Sequence, residues 1–129
     1  MGETYITLET AKLAKSIGFD EYSICSYQDG EHTLSHTYKL PKNIKEELYA
    51  PTQSHLQKWL REKKLIHIAL NKDDLNWSYQ LYDLLNSDDE NNALTSSWAG
   101  HKTYEEALEE GLKKALNIII SNKDPKFLL

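Results

Sequence analysis

One cysteine and two histidines lie close enough in the sequence to suggest chemistry: Cys25, His32 and His36. A thiol beside an imidazole is the core of a cysteine nucleophile, because the imidazole can take up the thiol proton. The usual alternative for a free cysteine is to pack as a small apolar side chain on a half-buried strand. We favour packing, and keep a small-ligand binder or an enzyme that uses these three residues as the competing interpretation.

His32 and His36 also have the four-residue spacing that binds zinc when both residues lie on one helix. The residues around them predict a strand, on which four residues span about 13 Å. Two imidazoles that far apart cannot share one ion. The acidic runs at 73–74 and 88–90 lack the glycine and the distal glutamate of a calcium-binding loop. We therefore predict neither a metal site nor a cofactor.

A β-hairpin is predicted to position the cysteine and the histidines. Residues 22–28 and 31–40 are rich in strand-forming types and flank Asp29-Gly30, a pair that favours a type I′ turn. Such a turn predicts three cross-strand pairs: Tyr27 with His32, Cys25 with Leu34, and Ser23 with His36. We expect Tyr27 to be partly exposed. Tyrosines on a hairpin surface suit protein recognition, since tyrosine is enriched at interfaces.

Aromatic residues suggest a second site. Trp77 and Tyr79 alternate on one predicted strand, and Trp98 lies on a neighbouring one. Together they could form a platform on which a ligand or a partner stacks. Large aromatic side chains more often form the core beneath helices, and we favour that interpretation.

The clearest structural signal lies between residues 94 and 120. Thr103 and Glu106 form the S/T-x-x-E pattern that caps a helix. Apolar residues then recur at intervals of three and four, at Tyr104, Ala107, Leu108, Leu112, Ala115, Leu116 and Ile119. Gly111 falls on this stripe, where it weakens an isolated helix by about 1 kcal/mol relative to alanine. We therefore expect it to let the helix approach a sheet closely.

The remaining elements complete an α+β fold. The first is a helix over 8–16, capped by Thr7 and stopped by Gly18, and a connection to residue 47 follows it. A second helix begins at Pro51 or Thr52. Three strands, over 65–70, 76–84 and 94–99, come next, with a polar loop over 86–92 before the last of them. On the last helix, Glu109 and Glu110 are expected to pair with Lys113 and Lys114 on a solvated face. We predict an antiparallel sheet, made of the hairpin and a three-strand meander, with about three helices packed on it.

Bulk properties restrict the function classes. The 129 residues predict a single domain. A net charge of −5 argues against nucleic-acid binding, which needs a basic surface. No apolar run reaches the eighteen or so residues of a membrane helix. A single cysteine fits a cytoplasmic protein. The apolar tail at 127–129 would either dock on its own core or join two subunits of a homo-oligomer.

Two resemblances add to these expectations. Residues 49–62, Tyr-Ala-Pro-Thr-Gln-Ser-His-Leu-Gln-Lys-Trp-Leu-Arg-Glu, with Ile66-His67-Ile68 and the segment from Thr103 to Leu112, resemble a group of small phage- or prophage-associated proteins of gut Bacteroidetes. The resemblance implies a protein of a virus or mobile element in the cytoplasm, and it carries no activity to transfer.

The second resemblance is local. Residues 98–108, Trp-Ala-Gly-His-Lys-Thr-Tyr-Glu-Glu-Ala-Leu, are similar to the strand-to-helix segment of HicB-type antitoxins, which have a partial ribonuclease-H-like fold. This likeness implies a helix packed on a sheet and an antitoxin-like inhibitor as an alternative function. Our main prediction is a phage or prophage accessory protein that is not an enzyme and acts through contacts with another protein.

Overall fold

A computed structural model describes residues 4–37, 46–84, 93–96 and 100–121. Within these ranges the chain forms three helices and six strands. In chain order they are α1 (Leu8–Ser16), β1 (Cys25–Gln28), β2 (Ser35–His36), β3 (Glu47–Tyr49), α2 (Gln53–Lys63), β4 (Ile66–Asp73), β5 (Asn76–Asp83), β6 (Ala93–Ser96) and α3 (Tyr104–Ser121). The expectations for the loop at 86–92, for Trp98 and for the tail at 127–129 fall outside the described residues.

The six strands form two antiparallel sheets, one in the order β2–β1–β3 and the other in the order β4–β5–β6. The predicted α+β class is confirmed, with the predicted hairpin and the predicted meander in different sheets. Helix α3 packs across β4 and β5, and α1 lies between α3 and β3. Helix α2 packs against β4 and α3.

The first hairpin turn forms where it was predicted, but the pairing beyond it is shifted by two residues. Asp29-Gly30 has positive φ at both residues, 49° and 78°, as a type I′ turn requires. Residues 31–34 then leave the ladder, and pairing resumes with Cys25 opposite His36 rather than Leu34. The predicted register is wrong because the chain does not continue straight from the turn into a strand.

The first sheet also contains a strand within the predicted connection. Strand β3 pairs with β1 through three residue pairs: Ser26 with Tyr49, Tyr27 with Leu48, and Gln28 with Glu47. Leu48 is buried, and the residues on either side of it are half-buried. Three alternating residues inside a charged stretch are too short a run to give a periodic signal.

The second sheet is built on a longer hairpin than the sequence predicts. Strands β4 and β5 pair along eight residues, up to Asp73 opposite Asn76. Asp74, with a φ of 50°, starts the two-residue turn between them. The polar residues 71–73, predicted as a turn, therefore continue the ladder.

Helix α2 is bonded directly to β4. The side-chain amide of Gln57 donates to the backbone carbonyl of Ile68 at 2.8 Å.

Threonine caps begin all three helices, as predicted for α1 and α3; for α2 the prediction left the start open between Pro51 and Thr52, and the cap is Thr52. Three threonine hydroxyl oxygens each accept a backbone N–H three residues on: Thr7 from Thr10 at 3.3 Å, Thr52 from His55 at 3.2 Å, and Thr103 from Glu106 at 3.0 Å. Caps of this kind contribute about 1 kcal/mol each. Helix α1 ends at Gly18, whose φ is 96° and whose N–H donates to the carbonyl of Lys15.

Gly111 brings α3 close to the second sheet, as its place on the apolar stripe predicts. A Cβ atom on this residue would lie 2.9 Å from Cγ2 of Ile68 and 3.2 Å from Cγ of Tyr79. Both distances are shorter than an ordinary contact between carbon atoms. Glycine is therefore required by the separation between helix and sheet.

Glu109 is a buried carboxylate that holds the starts of two other helices. It accepts the backbone N–H and the hydroxyl of Thr7, both at 3.0 Å, and the hydroxyl of Thr10. Its second oxygen accepts the side-chain amide of Gln53 at 2.9 Å. Because Thr7 caps α1 and Gln53 is the first residue of α2, this one side chain joins all three helices.

The predicted solvated pair between Glu109 and Lys113 is therefore wrong. Lys113 lies instead 3.1 Å from Glu110 and 3.7 Å from Glu9. Burial disfavours the charged ammonium, but the hydrogen bond and charge of Glu110, with the charges of Glu9 and Glu109, outweigh it and raise the pKa of Lys113. A signal for the burial of Glu109 exists in the sequence, since it precedes Leu112 by three residues on the apolar face.

Candidate interaction site

The structure places Cys25 and His36 opposite each other and leaves His32 apart from them. Cys25 is buried, while both histidines are exposed. His32 lies in the segment that leaves the ladder, so it shares no strand with His36. The hypothesis of a nucleophile that uses all three residues stays untested, and its cysteine has little access to solvent.

Tyr27 belongs to the core. Its side chain is 5% exposed, and its hydroxyl donates to the carbonyl of Ile6 at 2.7 Å. Burial, together with the charges of Glu109 and Cys25, raises the pKa of Tyr27. The expectation that Tyr27 is partly exposed is wrong, because β3 covers the strand edge next to it.

Trp77 and Tyr79 are both half-buried, in different surroundings. Tyr79 lies beneath α3 beside Gly111, and its ring stacks at 6.2 Å on that of His101. Trp77 meets the ring of Tyr104 edge-on at 5.2 Å. Tyr104 is 40% exposed, so its predicted place on the buried stripe is wrong.

A different group of residues forms the most exposed apolar surface of the first sheet. Tyr22 and Ile24 are 62% and 55% exposed, and both line a cavity of about 200 Å³. Its other lining residues are Tyr5, Ser23, Pro51, Thr52 and His55. We call these seven residues the Tyr22 surface. No single stretch of the sequence indicates this surface, because its residues come from three separate segments.

Neighbouring residues hold the Tyr22 surface in place. The Tyr22 ring meets the ring of Tyr49 edge-on at 5.8 Å, and its hydroxyl lies 2.7 Å from that of Thr37. The N–H of Thr37 donates to the carbonyl of Ile24 at 2.9 Å. The side chain of Tyr22 is thus held by Tyr49 and Thr37, and Ile24 is held through its backbone carbonyl.

An ion pair lies at the edge of the same surface. Nε2 of His55 is 2.7 Å from Oε1 of Glu21, and both side chains are partly exposed. The ring of Phe19 meets that of His55 at 5.8 Å and that of Trp59 at 5.1 Å, both edge-on. These contacts fasten the loop that follows α1 onto α2.

A second, larger cavity lies on the other side of Tyr49 and Phe19. Its volume is about 470 Å³, and it is lined by Ala11, Lys15, Gly18, Phe19, Asp20, Glu47 and Tyr49. We call it the α1–β3 cavity. It combines aromatic walls with charged side chains of both signs, a lining typical of sites for small ligands. Nothing in the sequence indicates this cavity, because the pattern does not predict β3.

His67 is half-buried, and its Nδ1 atom is shielded from solvent. It stacks on the ring of Tyr82 at 6.4 Å, and among the described residues its Nδ1 has no hydrogen-bond partner. Burial, and then the charge of Arg61, lower its pKa. It is therefore held neutral at neutral pH.

In the described part of the chain, no three histidine, cysteine, aspartate or glutamate side chains come together as metal ligands do. No helix in the same ranges is both long and apolar enough to cross a bilayer. Comparison with known proteins gave no match to a family model, to a curated protein or to a solved structure.

Proposed function

We propose that this protein binds another protein through the Tyr22 surface. The observation that carries the proposal is the exposure of two large apolar side chains, Tyr22 and Ile24, that line one cavity. Apolar side chains gathered around a recess are typical of the centre of a protein interface.

The fixed geometry of this surface favours binding. Ordering a mobile side chain at an interface costs about 0.5–1.5 kcal/mol, which lowers affinity. Tyr22 has already lost this freedom through its contacts with Tyr49 and Thr37. An aromatic ring with a polar hydroxyl also tolerates water before the partner arrives, which explains the enrichment of tyrosine at interfaces.

We propose further that the protein acts in the bacterial cytoplasm as a phage or prophage accessory protein, by binding and not by catalysis. The resemblance of residues 49–62, 66–68 and 103–112 to phage-associated proteins supports the first part. The single, buried cysteine supports a reducing compartment and argues against a thiol nucleophile.

The test is purification of the tagged protein from a Bacteroidetes host, with and without nuclease, as three forms of the chain. They are the natural chain, the double variant Tyr22→Ser with Ile24→Ser, and the control Leu75→Ser. Leu75 is 87% exposed at the tip of the second hairpin, away from the Tyr22 surface. The control also removes exposed apolar area, one side chain against two in the double variant, at a position outside the Tyr22 surface.

We expect one stoichiometric, nuclease-resistant protein to purify with the natural chain and with the control. Loss of two central contacts should weaken its binding by about thirtyfold or more in the double variant. Equal binding by all three forms would contradict the proposal for this surface. A small basic toxin as the partner would favour the antitoxin alternative, and a preparation with no partner would favour a small-ligand function.

A further inference from the structure

The α1–β3 cavity has a lining suited to a positively charged ligand. Its walls include the aromatic rings of Phe19 and Tyr49, and its charged groups are Lys15, Asp20 and Glu47. Two carboxylates against one ammonium leave a net negative charge. Among residues 4–37, 46–84, 93–96 and 100–121, no ion pair involves Asp20 or Glu47.

The position of the cavity at the end of α1 adds to its negative character. Lys15 lies in the last turn of this helix and Gly18 lies just beyond it. The carboxyl-terminal end of a helix carries a partial negative charge, which stabilises a nearby cation. A cation can also bind favourably over the face of an aromatic ring.

We propose that the α1–β3 cavity binds an organic amine, with the ammonium near Asp20 and Glu47 and the apolar body against Phe19 and Tyr49. A volume of about 470 Å³ lies within the range of small-ligand sites. Lys15 favours a ligand whose opposite end is anionic or polar. The same chemistry is offered by a free amine and by a lysine side chain of a protein partner.

This inference does not depend on the protein partner proposed for the Tyr22 surface. Tyr22 and Ile24 do not line the α1–β3 cavity, and Asp20 and Glu47 do not line the smaller one. Variants of one site therefore leave the residues of the other unchanged, and the two proposals can fail separately.

The experiment uses two probes of similar length and opposite charge, 2-phenylethylamine and 3-phenylpropionate. Each is titrated into the full chain while the backbone amide signals are followed by NMR. We expect the amine to shift the signals of residues 15–20 and 47–49 with saturation in the millimolar range or below. The anionic probe should produce no saturable shift at these residues.

Three variants test the assignment. Asp20→Asn and Glu47→Gln each remove one negative charge with almost no change in size, and each should weaken binding of the amine about fivefold. Glu62→Gln removes the same charge from an exposed position on α2 and should leave the affinity unchanged. Circular dichroism and thermal unfolding confirm that all three variants are folded.

The inference is overturned if 3-phenylpropionate binds as well as the amine. It is equally overturned if neither probe gives a saturable shift, or if Asp20→Asn and Glu47→Gln bind the amine like the natural chain. With the protein partner in hand, displacement of the partner by 2-phenylethylamine identifies a lysine side chain as the source. If the partner binds equally well in the presence of 2-phenylethylamine, the natural ligand of the cavity is a free amine.

Discussion

The Glu109 carboxylate accepts the backbone N–H of Thr7 at 3.0 Å, across 102 residues of sequence. The same carboxylate accepts the Gln53 amide, so the beginnings of α1 and α2 depend on one side chain of α3. A buried donor that loses its acceptor costs about 1–3 kcal/mol, and more when the acceptor is charged. The stability of the helix layer should therefore be unusually sensitive to this residue.

We predict that Glu109→Ala lowers the free energy of unfolding by about 3 kcal/mol, because it leaves the buried donors of Thr10 and Gln53 without an acceptor. Glu109→Gln keeps the shape and one acceptor oxygen, and should cost about half as much. The neighbouring Glu110→Gln affects a partly exposed ion pair and should cost less than about 1 kcal/mol. Equilibrium unfolding in urea measures all three, and equal losses at positions 109 and 110 would refute the assigned role.

Gly111→Ala has two opposing effects on the stability of the fold. Alanine favours the helix by about 1 kcal/mol, but its Cβ would lie 2.9 Å from Ile68 in a packed core. We expect the clash to dominate, with a net loss of about 1–2 kcal/mol. The control Asn117→Ala lies at an exposed position, so it changes only the intrinsic helix propensity and should be slightly stabilising. Thermal unfolding checks both signs, and a gain in stability for Gly111→Ala would show that the helix can move away.

The clash can be located by a double-mutant cycle. Ile68→Ala removes Cγ2, the atom nearest to the added Cβ. In that background the cost of Gly111→Ala should fall by about 1 kcal/mol, since contacting residues are not additive. If the stability losses of Gly111→Ala and Ile68→Ala are additive, the added Cβ atom does not clash with Ile68.

His67 predicts a loss of stability in acid. Its pKa is lowered in the folded state, so folding favours the neutral ring. Above the ordinary pKa of about 6.5 the ring is neutral in both states and has no effect. As the pH falls below that value the unfolded state binds the proton first, and stability declines until the folded pKa is passed. The difference in unfolding free energy between pH 7.5 and pH 5, measured by urea unfolding at both values, should be smaller in His67→Gln than in the natural chain, and an equal difference would refute the role of His67.

The raised pKa of Tyr27 predicts a loss of stability at alkaline pH. Because its pKa is raised, the folded protein retains the phenolic proton while the unfolded chain loses it above about pH 10. Stability should therefore fall as the pH rises through that value. In an absorbance titration at alkaline pH, Tyr27→Phe should remove a late-titrating phenol. It should also cost about 1 kcal/mol at neutral pH, because the Ile6 carbonyl loses its donor.

Cys25 offers a direct test of the enzyme alternative. Its side chain is 7% exposed, so a thiol reagent should react slowly with the folded protein and at once in concentrated guanidinium. A colorimetric thiol assay measures both rates. Rapid reaction in the native state would revive the nucleophile hypothesis for Cys25 and His36.

The features predictable from the sequence are those set by local chemistry. Thr7 and Gly18 delimit α1 at the predicted residues, and the place of Gly111 on an apolar stripe predicts its contact with the sheet. Pairing between distant segments was not predictable. Strand β3 is too short to show a period, and Glu109 in its i,i+4 pattern with Lys113 resembles an ordinary solvated acid.

The Tyr22 surface and the α1–β3 cavity were not predictable for the same reason, because each is formed by segments that are distant in the sequence. Tyr5, Tyr22 and Pro51 come together only because the segment before α1 pairs beside the start of α2, with the N–H of Ile6 bonded to the carbonyl of Pro51. Glu47 reaches the cavity only through the pairing of β3. Neither arrangement has a signature in any single stretch of the chain.

The bond between Thr7 and Glu109 also has a consequence for synthesis on the ribosome. A chain emerges amino end first, at about 5–20 residues per second. Helix α1 is made early, yet the carboxylate that its first turn requires arrives with α3, some hundred residues later. During that interval of several seconds, the apolar faces of α1 and α2 have no α3 to cover them. The nascent chain is therefore most exposed to chaperones and proteases just before α3 leaves the exit tunnel.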